Sequence, residues 1–429
     1  MPLRYDSLSE DETELHELPF PKKEPRELPF DPDLAFHSDV DPSFRLGLGR
    51  ATTSGHQAMR MAMLANLALA LMQGSGVGVH YSRDDAHYAR HRRWVPRAYT
   101  RRNVVTAVHD LASARIVRHE QVAPSPRNTR RSVVFPLITL DVLGAVRVID
   151  LVSRLSDPIE LKNAEKSLLP YHDTAFTRSL RADVQEQNAL LDTLHLNLSD
   201  AQWQRDAHGL FRHTGKVVNP THVQLYRVFN NGVWSHGGRF YGGWWQGLPK
   251  TVRAHLLIDG EAVCEEDYSA CHLRILSAVG SMPLPDGDPY QLDTVDRVVG
   301  DPRLARKLIK SSFQILINAK TAKAAHGAIS NKIDELGLET RLNSKLTMRA
   351  IKARFIEFES FWHTGLGSCL QRIDSDMAAD VMRQLRAKAV PALSVHDSFV
   401  VPANARLQLL EVMERAFAAG LRRAPAILR

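Results

Sequence analysis

The sequence predicts an α+β fold, and three stretches carry that prediction. Ala254-His-Leu-Leu-Ile-Asp-Gly-Glu-Ala-Val-Cys264 is a pair of short apolar runs broken by an Asp-Gly turn, which reads as strand, turn, strand. Directly after it, Leu273, Ile275, Leu276 and Val279 repeat at helical spacing. Ala392-Leu-Ser-Val-His-Asp-Ser-Phe-Val-Val-Pro402 reads as a tight apolar hairpin with Asp397 at its tip. Between these two β units lies a long helical region.

The chain has 429 residues, of which 44% are hydrophobic, enough for two or three globular units. A net charge of +7 favours a polyanionic partner. Cys264, Cys271 and Cys369 show no paired spacing, which argues against a disulfide framework or a zinc site. The acidic first residues do not look like a leader, and the longest apolar run, near residues 58–72, is broken by Arg60 and Asn66. The expectation is a cytoplasmic protein with no membrane partner.

Residues 1–45, rich in Pro, Asp and Glu, are expected to form an extended or disordered arm. Ser54–Gln73 reads as a helix with a buried Met and Leu stripe. Thr100 is placed to cap a helix over residues 101–112. Residues 116–122 and 132–140 read as strands joined by A-P-S-P-R-N-T-R-R. A helix followed by such a hairpin resembles a winged helix. Eleven Arg lie between Arg90 and Arg131 against only Asp110 and Glu120. Arg102, Arg127, Arg130 and Arg131 would stand where such a module meets DNA; a basic surface with no fixed partner fits the same pattern. The module is assigned to residues 46–150, and a helical, thumb-like connector to residues 151–222. Val223–Phe229 is expected to pair across Asn230-Asn-Gly with Val233-Trp-Ser.

Asp267 falls where a strand gives way to a helix. There it is either a helix cap or a rigidly held metal ligand. Asp397 at the hairpin tip supplies a second isolated carboxylate. Two such groups on neighbouring strand ends suit two divalent cations about 3.5–4 Å apart. Arg306, Lys310, Gln314 and Asn318 recur every fourth residue on an otherwise apolar helix. This polar stripe contains no acid, and Arg and Lys one turn apart suit a triphosphate.

The order Asp-Tyr-Ser, then Arg-x3-Lys on a helix, then a His-Asp hairpin resembles motifs A, B and C shared by family A DNA polymerases and phage-type single-subunit RNA polymerases. Gly238-Arg-Phe-Tyr-Gly-Gly-Trp-Trp-Gln-Gly-Leu-Pro249 is similar to the Gly-Arg segment before motif A. The resemblance spans residues 238–402. It implies a right-hand polymerase fold: palm and fingers over residues 223–429, with fingers near 285–370; no separate exonuclease domain is visible in this length. It further implies two Mg²⁺, with Mn²⁺ as a substitute, held by Asp267, Asp397 and the Tyr268 carbonyl. Arg306 and Lys310 would bind the triphosphate, with Lys310 also the proton donor to pyrophosphate. Gln314, Asn318 and His272 would line the nucleotide site. His396 would touch the primer terminus, and Arg239 the newest base pair; a structural Arg packed on Trp244 or Trp245 is the other reading of Arg239.

Two positions depart from the family pattern. Family A DNA polymerases have Glu five residues after the motif A Asp, where this chain has His272. Motif B usually carries Tyr eight residues after its Lys, where this chain has Asn318. The expected activity is template-directed nucleotidyl transfer on a DNA template from nucleoside triphosphates, leaning to RNA or primer synthesis. DNA synthesis with His272 as a steric gate is the alternative. A non-catalytic winged-helix DNA-binding protein and a two-metal nuclease are rivals from other classes.

Overall fold

The computed structural model describes residues 27–37, 42–43, 45–122, 131–153, 155–200, 202–214, 216–284 and 287–427. The architecture is mixed α and β, with mostly antiparallel sheets.

The amino-terminal body begins inside the expected arm. β1 (Glu27–Pro29) and β2 (Leu34–Phe36) give this stretch the extended one of the two forms expected of the arm; residues 1–26 lie outside the described residues. Phe30, Leu34 and Phe36 are buried, and α1 (Ser54–Gln73) packs against β2. Asn66, the polar residue on that apolar helix, clamps the arm: it accepts from the Asp31 N–H at 2.9 Å and donates to the Asp31 carbonyl at 2.8 Å. β3 (Gly78–Tyr81), α2 (Asp85–His91), α3 (Arg101–Ser113), β4 (Val117–Glu120), β5 (Ser132–Pro136) and β6 (Leu151–Ser153) follow. The Thr100 hydroxyl caps α3, accepting from the Asn103 N–H at 3.2 Å. One sheet runs β1-β3-β5-β4, antiparallel except at β1–β3, and β2 pairs with β6.

The region expected to be a helical connector holds one helix among short strands. β7 (Ile159–Leu161), α4 (Ala175–Leu191), β8 (Leu196–Leu198), β9 (Gln204–Arg205), β10 (Phe211–His213) and β11 (Lys216–Val218) occupy it with β6. Leu151-Val-Ser, Ile159-Glu-Leu and Leu196-Asn-Leu are three-residue strands, too short for their alternation to show as a pattern. Each is recruited by a distant partner: β6 by β2, β7 by β12 (Tyr226–Phe229), and β8 by the sheet below the site.

β12 pairs with β13 (Gly237–Tyr241), not with Val233-Trp-Ser as expected. Trp234 instead turns inward, with ring centroids 4.9 Å from Tyr171 and 5.0 Å from Phe229. Gly237 and Gly238, at φ +75° and +85°, absorb the resulting bulge.

The remaining elements are α5 (Lys250–Arg253), β14 (Leu256–Ile258), β15 (Glu261–Asp267), α6 (Cys271–Gly280), α7 (Asp293–Val299), α8 (Pro302–Asn318), α9 (Ala322–Glu335), α10 (Ser344–Arg354), α11 (Gly367–Arg386), β16 (Leu393–Val395), β17 (Ser398–Pro402) and α12 (Arg406–Ile427). A five-stranded antiparallel sheet, β16-β17-β15-β14-β8, forms the platform. α11 packs against α12, α6 and β13.

Two hydrophobic cores result. One gathers residues from Phe30 to Leu151 with Leu210; the other runs from Ile159 to Ala424. Across the seam Arg93 donates to Asp157 at 3.0 Å, and the Trp94 indole to the Ile159 carbonyl at 2.6 Å. Among the described residues no helix is long and apolar enough to cross a membrane.

Candidate functional site

β15 and β17 are antiparallel neighbours, and Asp267 is the register partner of Ser398. Asp397, one residue earlier, sits in the β16–β17 turn, where the Tyr268 N–H donates to its carbonyl at 3.4 Å. Two carboxylates separated by 130 positions in the chain are thus brought to adjacent strand ends. Asp267 does not cap α6: the N-cap is Ala270, at φ +50°, and no side chain bonds there. The left-handed Ala270 turns the chain sharply from sheet to helix. Lys250 Nζ lies 3.9 Å from Asp267 Oδ2.

The hairpin is held from behind by the Trp-Trp segment. Trp245 Nε1 and Gln246 Nε2 both donate to the Ser394 carbonyl, at 3.1 and 3.0 Å. His396 occupies the turn at φ +58°, with the Tyr241 ring edge-on at 5.7 Å. Such a conformation is costly for a non-glycine residue and persists where its surroundings impose it. The Tyr268 hydroxyl donates to the Met413 carbonyl at 2.8 Å, so its side chain points into the core and its backbone remains beside the turn.

Above the strand ends is a cavity of about 200 Å³, lined in part by Arg239, His272, Lys310, Gln314, Asn318 and Asp397. The stretches singled out in the sequence therefore meet at one place. Three of the four stripe residues face it. Arg306, one turn earlier on α8, is not in the lining; its Nε donates to Asp288 Oδ2 at 2.5 Å. Tyr290, under the Arg306 guanidinium at 5.8 Å, does line the cavity. Gly367 lets α11 approach α8: a Cβ there would lie 1.8 Å from Asn318 Oδ1.

The floor is a buried charge network. Asp374 on α11 accepts from Arg239 Nη2 at 2.6 Å and from Arg239 Nε at 3.3 Å. His272 Nε2 lies 2.7 Å from the same carboxylate, and its Nδ1 is 3.4 Å from Gln314 Oε1. Burial opposes ionisation of Asp374, but the Arg239 charge and the His272 hydrogen bond outweigh it and hold its pKa down at about 2. Asp374 was not among the sequence candidates. The available signal was an Asp on the apolar face of a helix, between Leu370, Ile373 and Met377. Lys250, Gln371 and Tyr290 were also missed, since nothing local marks them.

In the amino-terminal body Arg102 and Arg131 are exposed, at the starts of α3 and β5; Arg127 and Arg130 lie outside the described residues. The local potential is positive. Burial first, and then His91, Arg131 and Arg90, push the His87 pKa down to about 4.

Among the described residues no group of three or more His, Cys, Asp or Glu side chains converges as a metal site. Asp267 and Asp397 offer carboxylate oxygens, the donor type that suits Mg²⁺ or Mn²⁺. No known protein family and no curated protein matches this chain.

Proposed function

We propose that the protein is a template-directed nucleotidyltransferase, with residues 223–429 as a polymerase palm and fingers and residues 46–150 as a winged-helix module that holds DNA. One observation carries the reading. Asp267 and Asp397 come to adjacent strand ends, and Asp397 shares one cavity with the Lys310, Gln314 and Asn318 face of α8.

Two Mg²⁺ held by Asp267, Asp397 and the Tyr268 carbonyl would lower the pKa of an attacking hydroxyl and neutralise the leaving pyrophosphate. Lys310, in the cavity wall, meets the phosphates and donates a proton to the leaving group. Arg306 is one turn further out and reaches phosphate by exchanging Asp288 for it. Gln314 and Asn318 face the sugar and base. His396, braced by Tyr241, meets the primer end. Arg239 does its work through Asp374. In the amino-terminal body the order α1-β3-α2-α3-β4-β5, with β5 between β3 and β4, supports the winged-helix reading. Its exposed Arg102 and Arg131 suit phosphate contacts.

The test is incorporation on primed and unprimed DNA and RNA templates, with ribo- or deoxyribonucleotides, in Mg²⁺ or Mn²⁺. Metal-dependent extension, lost in Asp267→Ala and Asp397→Ala, is the expected result, with ribonucleotides preferred. Preference for deoxyribonucleotides assigns His272 as a steric gate. DNA binding without incorporation under any condition replaces the enzyme reading with a non-catalytic one.

A further inference from the structure

The positive charge of the chain is unevenly placed. Residues 303–354, from the start of α8 to the end of α10, hold twelve Lys and Arg against Asp334, Glu335 and Glu339, a net +9. The whole chain carries +7, so everything outside this segment sums to −2. α8, α9 and α10 pack on one another and bury Leu316, Ile329 and Ile351. Among the described residues Lys332 pairs with Glu335 at 2.8 Å, whereas no carboxylate pairs with Lys320, Lys323, Lys345 or Arg349. α12 shows the ordinary arrangement: its exposed Arg415 pairs with Glu411 at 2.8 Å.

Local energetics do not explain the pattern. Lys345 stands in the first turn of α10, where the helix dipole disfavours a cation, and Arg349 one turn on repels it. Lys352 continues the same face, about 10 Å along the axis from Lys345. Leu346 and Ile356, one at each end of this stripe, are 55% and 70% exposed. The stripe leads to the cavity. Lys352 Nζ lies 3.4 Å from His363 Nε2. His363, in a left-handed conformation at φ +65°, ties down the end of α8. Its N–H donates to the Leu316 carbonyl at 2.7 Å, and its Nδ1 lies 3.2 Å from the Ala319 carbonyl. Asn318, the residue before Ala319, lines the cavity, and Lys320, the residue after, is exposed.

We propose that this face of α10, with Lys320 beyond the end of α8, is a track for single-stranded nucleic acid outside the cavity. Phosphates meet Lys320, Lys345, Arg349 and Lys352, and the apolar faces of unpaired bases meet Leu346 and Ile356. A duplex hides those faces, so exposed aliphatic side chains among cations fit a single strand. The attraction of phosphate stands on charge and geometry; that the strand continues into the cavity rests on the nucleotidyl-transfer reading.

Fluorescence anisotropy of the full-length protein with a labelled oligothymidylate and with a blunt duplex, across a salt series and without nucleotide, tests the track. Lys345→Glu with Arg349→Glu is expected to weaken single-strand binding by about tenfold or more and to reduce its log–log salt slope by about 1.4, two contacts at about 0.7 each. Duplex binding, carried by the amino-terminal Arg side chains, should change by less than about twofold. Arg415→Glu with Arg422→Glu makes the same change of net charge at exposed sites on α12 and should leave single-strand affinity within about twofold. Unchanged single-strand binding in the α10 variant overturns the proposal, and so does an equal loss in the α12 variant, which would leave only net charge at work. An equal loss on the duplex makes the face a duplex surface. Binding of phosphatidylserine vesicles that the α10 variant loses, with strand binding kept, assigns the face to a membrane instead. If that variant does not fold by circular dichroism, Lys345→Gln with Arg349→Gln carries the same comparison. The binding needs no nucleotide, so failure of the polymerase reading is seen separately, as absence of incorporation.

Discussion

In the carboxy-terminal body Arg227, Arg239 and Arg253 are buried, each against a carboxylate: Asp376 at 3.0 Å, Asp374 at 2.6 Å and Glu265 at 2.7 Å. In the amino-terminal body Arg92, Arg97, Arg102, Arg115 and Arg131 stand in solvent. The same side chain does two physically different jobs. A buried guanidinium with a matched carboxylate fixes the distance between two elements, because separating the pair would leave a charge in low dielectric. An exposed one fixes no geometry but adds to a field that attracts phosphate. Composition counts both kinds alike, so a net charge of +7 says little about where the partner sits.

Asp267→Ala and Asp397→Ala are expected to lower nucleotide incorporation by three to four decades, on the order of 5 kcal/mol of transition-state stabilisation, while DNA affinity is kept. Single-turnover primer extension beside a binding isotherm measures both; substantial residual extension by either variant would remove the two-carboxylate assignment.

Next comes a pair of charge removals, one from each body. Arg239→Ala leaves Asp374 buried without its guanidinium partner, with only His272 against it, and is expected to destabilise the protein by about 3–5 kcal/mol. Arg102→Ala, at an exposed site, should change stability by less than about 0.5 kcal/mol. Urea unfolding of the two variants in parallel tests the contrast, and equal effects would erase it.

The two bodies should also lose stability in different pH windows. The Asp374 pKa lies at about 2 in the folded protein against an ordinary 3.8. The unfolded chain therefore binds the proton first, and the stability from this group, about 2 kcal/mol, is present above pH 3.8 and lost as pH falls to about 2. His87 is at about 4 against 6.5, so the amino-terminal body should weaken earlier, between pH 6.5 and 4. Histidine and tryptophan signals followed during acid titration resolve the order. Simultaneous loss in Asp374→Asn and wild type alike would discount the buried pair.

The smallest effect is electrostatic. DNA affinity of the full chain should fall linearly with the logarithm of salt concentration, and Arg102→Ala with Arg131→Ala should reduce the slope by about 1.8, from two phosphate contacts at about 0.9 each. An unchanged slope would place the DNA elsewhere than on α3 and β5.

What the sequence determined by itself is whatever a short window can hold. The β15 and β17 strands, the α8 stripe and the Thr100 cap follow from alternation, a four-residue repeat and a hydroxyl before a helix. Each is set by neighbours within one or two turns, so each is legible without a partner. The stripe marked Lys310, Gln314 and Asn318, which line the cavity, because helical periodicity fixes a face; it also marked Arg306, which lies outside the lining. Tertiary structure alone decided the rest. Arg239 and Asp374 are 135 positions apart, and His272 and Asp374 are 102 apart. β6, β7 and β8 are three residues each and become strands only because β2, β12 and β14 offer ladders to them. Trp234 broke an expected hairpin by finding aromatic rings from α4 and the segment before it. Local backbone preferences are worth a few tenths of a kcal/mol per residue, whereas breaking a buried ion pair or an aromatic cluster costs several times that. Where the two disagree, the long-range contact wins, and no local pattern records it.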